Sequence, residues 1–134
     1  MPDQLKVEAD AWLHRARDDL GSARKLLAGQ DAFPATASYH CQQAAEKALK
    51  AVLVADIVPI PKTHDLRVLV ERCLLLEPSL DALRDACDEL TPFATEFRYP
   101  SDAPDPTREE VAYALTLSAS IVEAAELALK RRFP

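Results

Sequence analysis

The sequence predicts an all-α fold, an antiparallel up-and-down bundle of four long helices plus a short additional helix, in one domain spanning 1–134. Three observations carry that expectation. Apolar residues recur at three- and four-residue steps along most of the chain, the spacing that gathers them on one helical face. Glycine is scarce, two in 134 residues, and the ten prolines cluster outside the periodic stretches. No alternating strand pattern competes. A chain of this length buries roughly two-thirds of the surface that its unfolded form exposes.

The first helix is expected to start near Asp3, acting as N-cap after Pro2. Leu5, Ala9, Trp12, Leu13, Ala16, Leu20, Ala23 and Leu27 keep the helical period, and Gly29 supplies the stop. Gly21 inside it costs about 1 kcal/mol relative to Ala, which close packing against a neighbour would explain. Pro34 fits the first turn of the second helix, where its missing N–H does no harm.

That second helix, Ala35 to Ala55, is the strip around which the rest is organised. Ala37, Cys41, Ala44, Ala45, Ala48, Val52 and Ala55 share one face, and small residues there let a neighbouring helix approach closely. Tyr39, Gln43, Glu46 and Lys50 follow the same spacing on a second face. This face is either solvated surface or the wall of a polar site. As surface, Glu46 and Lys50 form an exposed i,i+4 pair contributing about 0.3–0.5 kcal/mol.

Pro59 and Pro61 make the next connection stiff and extended. Thr63 is the expected N-cap of a third helix, with Asp65 in its first turn and Leu66, Leu69, Val70, Cys73 and Leu74 on its buried stripe. Pro78 interrupts, and Ser79 is expected to cap the following segment. A fourth helix then carries Leu80, Leu83, Cys87, Leu90, Ala94 and Phe97, with Pro92 kinking or dividing it at Thr91. Ser101 to Pro106 reads as a loop. Thr107 and Glu110 fit a capping box for the last helix, and Lys130, Arg131 and Arg132 complement its negative end.

Composition narrows the function classes. Hydrophobic residues at 49% and charged residues at 28% describe a soluble globular chain. A net charge of −6 argues against broad non-specific affinity for nucleic acid, although a local basic patch is compatible with it. No apolar run in MPDQLKVEADAW resembles a signal peptide, and the uncharged run Val111 to Val122 is too short to span a bilayer. The expectation is a cytoplasmic protein with no membrane partner. Cys41, Cys73 and Cys87 each fall on an apolar stripe, the pattern of reduced core thiols. There is no Gly-rich phosphate loop, no Cys-x-x-Cys pair, and no Glu three residues before His14, His40 or His64. Neither a metal nor a cofactor is expected.

Four patterns stand in order: Asp19-Leu20, then QQAAEKALKA from Gln42 to Ala51, then Thr63-His64-Asp65-Leu66, then Arg98-Tyr99-Pro100. Together, from about Ala9 to Lys130, they resemble a HEPN domain, a small helical family. The resemblance implies a helical bundle that commonly forms a homodimer. It further implies a partner, a minimal nucleotidyltransferase protein, in a toxin–antitoxin-like system. Active members of the family are metal-independent ribonucleases whose site pairs an Arg with a His after four to six intervening residues. Here Arg98 matches the Arg, but Ala103, Pro104 and Asp105 stand where the His would fall. Whether the chain is an enzyme is thereby left open.

The candidate nucleotide- or RNA-binding residues are Arg98, Tyr99, Lys50, Glu46 and His64. A guanidinium at a helix end can grip phosphate with two hydrogen bonds, or simply face the helix carbonyls. Tyr99 can stack on a base or fill part of the core. His64 can exchange protons near neutral pH or fix its loop by hydrogen bonds. The alternative to an exposed Glu46–Lys50 pair is that the two orient Arg98 through a carboxylate–guanidinium pair, and His40 is read as a satisfied interhelical histidine. Two functions follow. One is an interaction module that binds nucleotide or RNA near Arg98. The other is a divergent ribonuclease with Arg98 and His64 as catalytic pair, His64 replacing the missing His.

Overall fold

The computed structural model describes residues 2–100 and 102–134, without the side chain of Pro2. Its order is α1 (Pro2–Leu27), α2 (Pro34–Ala55), α3 (Leu66–Leu74), a 3-10 segment (Pro78–Leu83), α4 (Arg84–Leu90), a second 3-10 segment (Thr91–Ala94) and α5 (Arg108–Arg132). The chain is all-helical among its described residues, as its periodicity predicts. Three helices are long, and the leg expected as a fourth is assembled from short pieces.

α2 is the hub. It packs against α1 on one side and α5 on the other, and α1 and α5 also touch. Phe33 to Leu26, His40 to Asp19 and Lys50 to Trp12 are successive contacts, so α1 and α2 run antiparallel. Ser118 donates to the carbonyl of Cys41, and Arg132 reaches Asp56, so α5 runs parallel to α2. The connection after α2 folds back to bring His64 beside Gln42, so α3 runs parallel to α2, with Cys73 reaching the Leu49 carbonyl, and not antiparallel as short connections imply. The α4 leg then returns antiparallel to α3, with Asp88 on Arg67 and Thr91 on Leu66. The alanine face of α2 is fully buried together with Leu49 and Leu53, which lets three helices meet on a backbone with little side chain in the way. All three cysteines are free and buried, and burial pushes their thiols up to about 12.

Several local expectations need correction. α1 begins at Pro2, which places Asp3 inside its first turn, where it favours the positive end of the dipole. Asp65, not Thr63, caps α3: its side chain accepts from the Arg67 N–H, while Thr63 Oγ1 accepts from the Asp65 N–H. Ser79 caps nothing; the segment starts from Glu77 without a side-chain cap. Pro92 does divide its helix at Thr91, but the neighbouring turns are 3-10, tighter than the periodicity alone implies. Nothing lies within 4 Å of where a Cβ on Gly21 would sit, so close packing does not explain that glycine. The capping box of α5 forms as its sequence predicts. The Ser101 start of the expected loop lies outside the described residues.

α2 ends in a left-handed cap. Ile57 N–H bonds to Val54 O and Val58 N–H to Leu53 O, the paired bonds of a Schellman motif. Ile57 has φ of 59°, a conformation that glycine tolerates and a β-branched residue resists.

Candidate functional site

The polar face of α2 is not solvated surface. Glu46 is 4% exposed and Gln43 8%, while Gln42 is fully buried. The cause is the stiff connection after α2, which folds back along the helix. His64 Nδ1 donates to Glu46 Oε1 at 2.8 Å, and Gln42 Nε2 donates to the His64 carbonyl at 2.9 Å. Lys50 Nζ donates to Glu46 Oε2 at 2.9 Å and stands 5.6 Å from the centroid of the Trp12 ring. Gln42 and Gln43 add their amides to Oε1 of the same carboxylate. Burial alone would raise the carboxyl pKa of Glu46. The hydrogen bonds from Lys50, His64 and Gln42 outweigh it and hold the pKa below the usual glutamate value. The expected exposed Glu46–Lys50 pair is therefore a buried one, with side chains only 5% and 13% exposed.

A second cluster lies one strip over, between α1 and α2. Asp19 Oδ1 accepts from His40 Nδ1 at 2.8 Å and Oδ2 from Lys47 Nζ at 2.6 Å. His40 is thus the satisfied interhelical histidine that its position suggests. Asp19 and Lys47 are the site residues that motif reading left unassigned. Their signal was an acid beside the apolar Ala16–Leu20–Ala23 stripe of α1 and a lysine next to Glu46.

Arg98 behaves differently. It does not meet Glu46. Its guanidinium lies 4.5 Å from the centroid of the Tyr39 ring and 5.6 Å from that of Tyr99. Tyr39 and Glu46 are seven residues apart on α2, about 10 Å along the axis, so Arg98 sits two turns from the carboxylate expected to orient it. Among the described residues no carboxylate pairs with Arg98, and the residue is exposed. Tyr99, 67% exposed, is not a core residue. The structure thus joins Glu46, Lys50 and His64 in one cluster, and Arg98 and Tyr99 with Tyr39 in another, on the same side of one helix. No group of three or more His, Cys, Asp or Glu among the described residues is arranged to hold a metal ion.

The HEPN domain family model matches residues 9–129. The chain belongs to the HEPN family. Among solved structures, the HEPN chain is similar to TT1696 from Thermus thermophilus, at 29% identity and a TM-score of 0.76, covering 90% of this chain and 97% of that one. It is also similar in fold to ST0689, an archaeal HEPN homologue, at 21% identity and a TM-score of 0.71, with the same coverage. No curated protein matches the chain.

Proposed function

We propose that the protein is a HEPN interaction module whose Arg98 element binds the phosphate of a nucleotide or RNA. On this reading it works as a homodimer with a minimal nucleotidyltransferase, in a toxin–antitoxin-like pair. The observation that carries the binding site is the state of Arg98. A guanidinium within cation–π reach of two aromatic rings, with no carboxylate to neutralise it, keeps its fork of donors available for a phosphate. Tyr99, exposed beside it, offers a face for a base. The Glu46–Lys50–His64 cluster acts as the fixed floor, holding the loop after α2 in place. Support for the partner and the dimer comes from family membership.

The experiment is a titration of the purified protein with labelled nucleotides and short RNA. Binding is expected, weakened about tenfold or more in Arg98→Ala with the fold intact. No binding by the wild-type chain contradicts the proposal.

One observation favours a second reading. Glu46 orients the His64 ring through Nδ1, which leaves Nε2 free of the carboxylate, and the His64 side chain is 65% exposed. A carboxylate-oriented imidazole suits a metal-independent ribonuclease that uses Arg98 with His64. That reading requires RNA cleavage without added metal, abolished in both Arg98→Ala and His64→Ala.

A further inference from the structure

Arg98 is a long side chain on an exposed turn. The turn is tied down by the Arg98 N–H bonding to the Thr95 carbonyl, and by the Phe97 ring 5.7 Å from that of Phe93, which packs against the core. Neither contact reaches the guanidinium. Two rings do, Tyr39 at 4.5 Å and Tyr99 at 5.6 Å. Tyr99 is the next residue in the chain and is itself exposed, so it moves with Arg98 and fixes nothing relative to the bundle. Tyr39 belongs to α2, the hub of the fold, and is half-buried.

Tyr39 has a brace of its own. His40 follows it on the helix, and the two rings stand edge to face, with centroids 5.7 Å apart and planes at 69°. His40 Nδ1 donates to Asp19 Oδ1 at 2.8 Å, and Lys47 Nζ donates to Asp19 Oδ2 at 2.6 Å. Consecutive residues of a helix point about 100° apart, so His40 meets α1 while Tyr39 meets the turn that carries Arg98. Contacts thus run without a gap from Asp19 through His40 and Tyr39 to the guanidinium. The Asp19–His40 pair, to which the binding reading gives no part, is the inner end of that path.

We propose that Tyr39 is a positioning residue of the phosphate site: its ring, braced by His40 and Asp19, sets the direction in which the Arg98 guanidinium presents its donors. The inference rests on the reading that Arg98 binds phosphate. A guanidinium that sweeps solvent loses rotamer freedom each time it grips a phosphate, and that loss is subtracted from the affinity. A ring that confines it beforehand reduces the loss. The attraction comes from the quadrupole of the ring, so position 39 requires an aromatic face and not a hydroxyl.

Titration of the full chain with a labelled short RNA over a range of salt tests it, with circular dichroism to confirm folding. Tyr39→Leu, which keeps bulk but no aromatic face, is expected to weaken binding about fivefold, and Tyr39→Phe to stay within about twofold of wild type. The salt slope of Tyr39→Leu is expected to match that of the wild type, because Arg98 still meets its phosphate, whereas Arg98→Ala makes the slope shallower. In the Arg98→Ala background, Tyr39→Leu is expected to change nothing further, since its effect travels through Arg98. His40→Leu, which removes the brace and keeps the Tyr39 ring, is expected to weaken binding about twofold. A fivefold loss that persists in the Arg98→Ala background makes Tyr39 a direct contact of the RNA and overturns the positioning role. Tyr39→Phe as weak as Tyr39→Leu overturns the part given to the ring, and His40→Leu at full affinity overturns the brace. If the wild type binds and Arg98→Ala is weakened while Tyr39→Leu keeps full affinity, the Tyr39 assignment falls and the reading of Arg98 stands. A wild type that binds no RNA overturns both.

Discussion

The buried polar face of α2 and the Arg98 element are neighbours with opposite designs. Along α2, each charged group has a partner within hydrogen-bond distance: Glu46 with Lys50 and His64, Asp19 with His40 and Lys47. At Arg98 the charge rests on aromatic rings and is otherwise given to solvent. A buried carboxylate is tolerable only when paired, so the first region is built for rigidity. An exposed cation beside aromatic rings costs the fold little and keeps its donors, so on the proposed reading the second is left open to a ligand. On that reading the difference separates residues whose loss unfolds the protein from residues whose loss weakens ligand binding.

The largest effect that tests this contrast is expected at Glu46. Glu46→Ala leaves the Lys50 ammonium and two glutamine amides without their shared acceptor, and should cost about 3 kcal/mol in urea unfolding at pH 7. The pH dependence has a defined sign. The folded-state pKa of Glu46 is depressed, so its stabilisation is present above the unfolded value of about 4.3 and is lost as pH falls through the folded value. The stability gap between wild type and Glu46→Gln should therefore close on acidification below roughly pH 4. A gap that stays constant to about pH 3 contradicts the pairing. Asp19→Ala, next in size, should cost about 2 kcal/mol, because His40 and Lys47 are only about three-quarters covered and water partly compensates them.

Smaller effects sharpen the same contrast from outside both regions. Gly21→Ala should stabilise by about 0.5–1 kcal/mol, since a methyl there meets open space and alanine favours the helix. Ile57→Gly should stabilise by about 0.5 kcal/mol, as relief of the left-handed strain exceeds the entropy that glycine costs. Neither substitution is expected to change ligand affinity at Arg98, which separates stability from binding. A midpoint shift of opposite sign in denaturant titration contradicts either account. Arg98→Ala should be the smallest of all in stability, under about 0.5 kcal/mol.

How much of this could be read beforehand varied from residue to residue. The long helices were legible, because the alanine stripe of α2, the capping box at Thr107 and Glu110, and the glycine after α1 are local signals. Asp65 and Thr63 are both capping residues two positions apart, and only the folded turn decides which one faces the helix N–H groups. The nature of the Tyr39–Lys50 face was not legible at all. Spacing puts Glu46 and Lys50 on one side of a helix, but whether water or protein lies beyond depends on the return path of the His64 loop. The residues of the candidate site were named from motifs, while their partnerships were not. Arg98 lands on Tyr39, 59 positions earlier in the chain, because the division at Thr91 sets where the 3-10 turn ends.

The most direct measurement pairs two readings on one variant. For Arg98→Ala, calorimetric unfolding and titration with a labelled short RNA are made on the same preparation. Affinity should fall about tenfold or more and its salt dependence should become shallower by about one phosphate contact, with the melting temperature unchanged. A melting temperature lowered by several degrees with affinity intact contradicts the account, and makes Arg98 a residue of the fold.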